Sequence, residues 1–166
     1  MKALYIHGLH SSPNPDKLSI LRDLNLEVIA PEIDYESEKG NVYPRIKALA
    51  IKSNVDIIIG SSMGGFIGFW LGKELGIPAL LFNPALHFES MKEYIPKVDL
   101  TKKSSAYFCL GEKDQRVNPQ EVRKYLASFD AHIHQHKIVM ASWLAHGIDL
   151  LTFRSMNMWF LGELEQ

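Results

Sequence analysis

Residues 56–76 read DIIIGSSMGGFIGFWLGKELG, and the way this stretch divides decides the fold. Asp56–Ile59 is a β-branched apolar run of the kind that forms a strand buried on both faces. Met63–Leu75 carries apolar residues at helical spacing. The joint between them holds Gly60, Gly64 and Gly65 around Ser61 and Ser62. Glycine is the most permissive backbone, so the joint is a sharp turn, and the turn exposes a hydroxyl.

Outward from this stretch, short apolar runs alternate with helical patterns. Candidate strands are Ala3–His7, Glu27–Ala30, Asp56–Ile59, Ala79–Phe82, Ala106–Leu110 and His134–Met140. Candidate helices are Lys17–Leu24, Tyr43–Ser53, Met63–Leu75, Pro119–Phe129 and Ile148–Gly162. This alternation predicts βαβ units and a parallel sheet covered on both faces, an α/β/α sandwich. No repeat or linker divides the 166 residues, so one domain spans 1–166. Residues 85–104 are longer than a βα connection needs and read as a small cap or a surface excursion.

Composition narrows the function classes. Eighteen basic and nineteen acidic residues leave a net charge of −1, with no basic patch or acidic tract, so neither nucleic acid nor an anionic membrane is expected as partner. The single cysteine, Cys109, lies in an apolar run and reads as a buried strand thiol. The N-terminus MKALYIHGLH lacks the features of a signal peptide, and no apolar run reaches a membrane span; the expected location is cytoplasmic.

Ligands of an open parallel sheet bind beyond the carboxyl ends of its strands. There the sequence places Ser62 after the third strand, Asp114 after the fifth and His146 after the sixth, all on one edge. Gly60, Ser62 and Gly64 match G-x-S-x-G, in which a nucleophile sits on a strained turn flanked by residues without a Cβ. Ser61 does not fit, because Ile59 stands where that glycine belongs. A serine hydroxyl needs a base and the base an orienting acid, and the chain order Ser, acid, His is met by Ser62, Asp114 and His146, with Glu112 as the alternative acid. The backbone N–H groups of Met63 and Leu9 are the candidate oxyanion donors, with His7 positioning the Leu9 loop. His10 and Trp143 are candidate substrate contacts. Asp149 reads as a charge at the start of the last helix. The alternating His132, His134 and His136 read as an exposed polar strand face. No metal or cofactor is expected.

The segments HGLHSSPNPDK, GSSMGGFIGFW and FNPAL together resemble the small YqiA-like esterases of the α/β-hydrolase superfamily. The resemblance runs along essentially the whole chain and implies a minimal α/β-hydrolase fold of about six mostly parallel strands in the order 2-1-3-4-5-6. It also implies esterase-type activity and supports Ser62 and His146. The chain departs from that family in carrying Leu9 where Phe is frequent, and GEKDQRV in place of a shorter G-D-x-V. The resulting expectation is a serine hydrolase that cleaves small carboxylic esters through an acyl-enzyme, its partner a small-molecule ester. A thioesterase or acyltransferase with the same three residues, and an anion-binding module built on the glycine turn, are the alternatives.

Overall fold

The computed structural model describes residues 1–166. Six parallel strands, β1 (Lys2–Ile6), β2 (Glu27–Ile29), β3 (Ile57–Ser61), β4 (Ala79–Phe82), β5 (Ser104–Gly111) and β6 (His134–Ala141), form one sheet in the order β2-β1-β3-β4-β5-β6. Six helices accompany them: α1 (Pro15–Asp23), α2 (Tyr35–Glu38), α3 (Val42–Ser53), α4 (Met63–Leu75), α5 (Pro119–Leu126) and α6 (Leu150–Leu164). The expected fold class and strand order are those of the structure.

The strands are continuously apolar because both faces of the sheet are covered. Side-chain alternation splits the core in two. Leu4, Ile6, Ile58, Leu81 and Phe108 face one layer, where α4 contributes Phe66, Ile67 and Phe69. Tyr5, Ile57, Ile59, Phe82 and Cys109 face the other, where α6 contributes Phe153, Met156 and Phe160. Each large side chain so enclosed contributes about 1.5–3 kcal/mol relative to exposure. Burial pushes the Cys109 thiol up to about 12. No helix is long and apolar enough to cross a membrane.

Polar caps set several helix starts. Asn14 accepts from the Lys17 amide before Pro15, Asn118 from the Gln120 amide before Pro119, and Asp149 from the Thr152 amide. Asp149 is therefore the cap of α6, which begins at Leu150 rather than Ile148. Helix α2 has only four residues and is held by Asp34, whose carboxylate accepts from the Glu36 and Ser37 amides. Residues 89–94 form a 3-10 turn inside the long 85–104 connection.

One expectation is overturned. His134 and His136 do not form an exposed polar face; they point at the layer that holds α4 and α5. The His136 ring lies 5.6 Å from Phe108 and 5.9 Å from Phe129, and His134 is 5% exposed. His136 also faces Lys73, a lysine of α4 that is 1% exposed and whose Nζ lies 3.1 Å from His136 Nε2. The aromatic surface of Phe69 and Phe129 needs a cover, and β6 supplies it with imidazole rings. His132 precedes the strand and is exposed.

Candidate active site

Ser62 sits between β3 and α4 with φ 53° and ψ −117°, a conformation that a residue with a side chain adopts only under strain. Its backbone is pinned from two sides. The Ser62 amide donates to the Phe82 carbonyl at the end of β4, and the Ser62 carbonyl accepts from the amides of Phe66 and Ala85. The flanking glycines are required by space. A Cβ on Gly60 would lie 2.5 Å from the Gly64 oxygen, and one on Gly64 would lie 2.1 Å from the Ile6 oxygen. The two glycines therefore crowd each other, and Gly64 also lies against the end of β1.

His146 Nε2 lies 3.1 Å from Ser62 Oγ, and its Nδ1 lies 2.8 Å from Asp114 Oδ2. The Asp114 side chain has no exposure, while that of His146 is 21% exposed. Asp114 Oδ1 accepts from the Arg116 and Val117 amides at 2.8 and 2.9 Å. An ionised carboxylate only accepts, so His146 Nδ1 carries the proton and Nε2 offers its lone pair to the serine. Glu112 is exposed and makes no hydrogen bond or ion pair with His146.

Leu9 and Met63 stand together beside Ser62 in a cleft of about 210 Å³, which His10, Ala85, Phe88, Met91, Arg116, Val117 and His146 complete. A larger hollow, about 590 Å³, lies between α5 and the His134–His136 face of β6 and includes none of these residues. The cleft with Ser62 is the one that contains the Ser62–His146 contact. The Leu9 loop is held by His7, which is 1% exposed. His7 Nε2 accepts from the Ile33 amide at 3.0 Å and Nδ1–H donates to the Gly8 carbonyl at 2.8 Å, while the Tyr35 hydroxyl donates to the His7 carbonyl at 2.6 Å. Both ring nitrogens are committed to the backbone, which is a positioning arrangement. His10 reaches the cleft, with its Nε2 3.6 Å from Glu36 Oε1. Trp143 does not line it: 59% exposed, it donates its indole N–H to Thr152 Oγ1. Hydrogen bonds from Thr152 hold the Asp149 carboxyl below the usual carboxylate range. No group of three or more His, Cys, Asp or Glu side chains is placed to hold a metal ion.

Asn83 is the residue that sequence reasoning missed. It is 2% exposed and adopts a left-handed φ of 42°. Its Nδ2 donates to the Ala145 and His146 carbonyls, and its Oδ1 accepts from the Gly111 amide at 2.8 Å. One side chain thus ties the end of β4 to the end of β5 and to the loop that carries His146. Its neighbours serve the same turn. Pro84 fills the space where a Cβ on Gly65 would stand, and the Ala85 amide holds the Ser62 carbonyl. The available signal was the Asn-Pro-Ala run immediately after a buried strand.

Six parallel strands between helical layers, with a serine on a strained strand–helix turn, define the α/β-hydrolase fold. Solved structures agree on the fold. SOBER1 of Arabidopsis thaliana is 16% identical, with 99% of each chain covered and a TM-score of 0.74. Est1E of Butyrivibrio proteoclasticus, solved with ferulic acid bound, is 13% identical over 99% of this chain and 90% of that one, with a TM-score of 0.75. A Bacillus cereus carboxylesterase is 14% identical over 96% and 87%, with a TM-score of 0.67. Residues 2–116 match the family described as "Uncharacterised protein family (UPF0227)", the YqiA family, and the chain belongs to it.

Proposed function

We propose that this protein is a serine hydrolase that cleaves small carboxylic esters through an acyl-enzyme. The observation that carries the reading is the continuous Asp114–His146–Ser62 chain, with contacts of 2.8 and 3.1 Å, ending on the strained turn. Ser62 Oγ attacks the ester carbonyl while His146 Nε2 takes its proton. Asp114 holds the imidazole tautomer and offsets the charge that forms. The oxyanion of the tetrahedral intermediate is met by the Met63 and Leu9 amides, aided by the N-terminus of α4. On collapse the C–O bond breaks, the leaving alcohol takes the proton from His146, and water, deprotonated by the same base, releases the acid.

Two of the similar structures support the reading: one is a carboxylesterase, and the other, Est1E, was solved with ferulic acid bound. The small cleft favours short acyl groups. The test is labelling with a fluorophosphonate, followed by mass spectrometry of the adduct. Modification of Ser62 that Ser62→Ala and His146→Ala both abolish is expected, with ester turnover falling by roughly 10⁴-fold or more in each variant. Folded protein that takes no adduct would refute it.

A further inference from the structure

The cleft beside Ser62 is uneven in charge. Its ten lining residues include one permanent cation, Arg116, and no carboxylate. Ser62 and His146 face each other, and the His10 imidazole is turned toward Glu36. Arg116 has an acid two residues away, yet its side chain forms no ion pair with Asp114. One Asp114 oxygen is taken by His146 and the other by two backbone amides, one of them that of Arg116 itself. The Arg116 side chain makes no ion pair and no hydrogen bond with any other group of the chain. Its point of departure is nonetheless fixed, because the Arg116 and Val117 amides are both bonded to the buried Asp114 carboxylate, and Val117 is 4% exposed. Arg116 thus lines the same cleft as Ser62 and His146 with its guanidinium unpaired within the chain, free to meet an anion there.

We infer that Arg116 selects esters that carry a carboxylate close to the scissile bond, an inference that rests on the serine-hydrolase reading above. The guanidinium offers paired donors that match a carboxylate, and the apolar walls at Leu9, Phe88, Met91 and Val117 accept the short chain between that group and the ester. The positive end of α4 acts in the same direction.

Two isosteric pairs test this, each comparing a carboxylate with its uncharged amide. Monomethyl succinate against methyl succinamate puts the charge on the acyl side; acetoxyacetate against acetoxyacetamide puts it on the alcohol side. With product release followed by chromatography, the carboxylate member of at least one pair is expected to exceed its amide about tenfold in kcat/KM, chiefly through KM. The pair that shows it identifies the side of the ester that bears the anion. Arg116→Gln, which keeps the backbone amide, is expected to bring the ratio near one. Arg116→Lys retains part of it, and added salt reduces it in the wild type because the cation stands at an exposed rim. Turnover with equal rates within both pairs, or a ratio unmoved by Arg116→Gln, overturns the inference and leaves the hydrolase reading intact. Turnover of none of the four esters by protein whose Ser62 takes the fluorophosphonate does the same. No turnover and no adduct overturns both.

Discussion

Lys73 lies on α4 with its ammonium between the rings of Phe69 and Phe129, at 4.6 and 4.4 Å from their centroids, and replacing it with Met probes what that position costs. No carboxylate pairs with it, and burial pulls it down from 10.5 to about 7. A folded value below the unfolded one means the unfolded chain binds more protons between about pH 7 and 10.5, so stability rises with pH across that window. At about 1.4 kcal/mol per tenfold change in proton affinity, the cost at pH 7 is on the order of 4 kcal/mol, and by pH 9.5 it falls to about 1 kcal/mol. Met removes that cost but leaves His136 Nε2 without its Lys73 partner, at about 1–3 kcal/mol. Lys73→Met is therefore expected to be more stable than wild type at pH 7 by about 1–3 kcal/mol, with the advantage gone or reversed near pH 9.5. Urea denaturation of both proteins at several pH values between 7 and 9.5 measures this. A difference that stays constant with pH, or a variant several kcal/mol less stable at pH 7, would mean Lys73 is a well-solvated or paired ammonium, and the reasoning fails.

Other substitutions and conditions probe the same framework. Asn83→Ala frees the His146 loop and the end of β5; it is expected to lower kcat by roughly 10²-fold with a smaller change in KM, and to cost about 1–3 kcal/mol of stability. Gly64→Ala forces a Cβ into the Ile6 carbonyl and is expected to cost more than about 4 kcal/mol, read as loss of soluble folded protein or a large fall in Tm. His136 is pulled down from 6.5 to about 4 by burial and by Lys73, so its contribution to stability falls as pH drops from 6.5 toward 4; His136→Phe is expected to flatten the denaturation midpoint in that window. Cys109 is fully buried with its thiol pushed up to about 12, and iodoacetamide at pH 8 is expected to modify it only after urea unfolding. Acetyl and butyryl esters are expected to exceed decanoyl esters in kcat/KM; the reverse would contradict the cleft as described.

The strands were readable because a sheet buried on both faces leaves continuous apolar runs such as Ala79–Phe82, whose bounds the structure leaves unchanged. The Ser62, Asp114 and His146 positions were readable because each follows a strand on the same edge. What was hidden is what depends on contacts between distant segments. Helix α2 has four residues, too few for a helical period, and exists because Asp34 caps it and Tyr35 reaches back to His7. Asn83 bonds groups 28, 62 and 63 positions away, which no local pattern records. In sequence, Lys73 is a solvated cation in the last turn of a helix, where it complements the dipole. Its burial appears only once Phe129 and β6 close over it. The same closure explains why the alternating histidines of β6 face inward.

Ser62 and His146 are 84 positions apart, and the proposed base arrives on a loop that follows the outermost strand. The bent serine turn and the His7 anchor draw only on groups within residues 6–85, so they need not wait for β6 to be built, whereas the Asn83 bonds to Ala145 and His146 form only once it is. A refolding chain with five strands paired would hold a poised hydroxyl and nothing to deprotonate it. Under the proposed mechanism, turnover is a clock for one event, the zippering of His134–Ala141 onto Ser104–Gly111. Compared with the change in tryptophan fluorescence, the lag before activity returns would separate collapse of the central layers from closure of the sheet's edge.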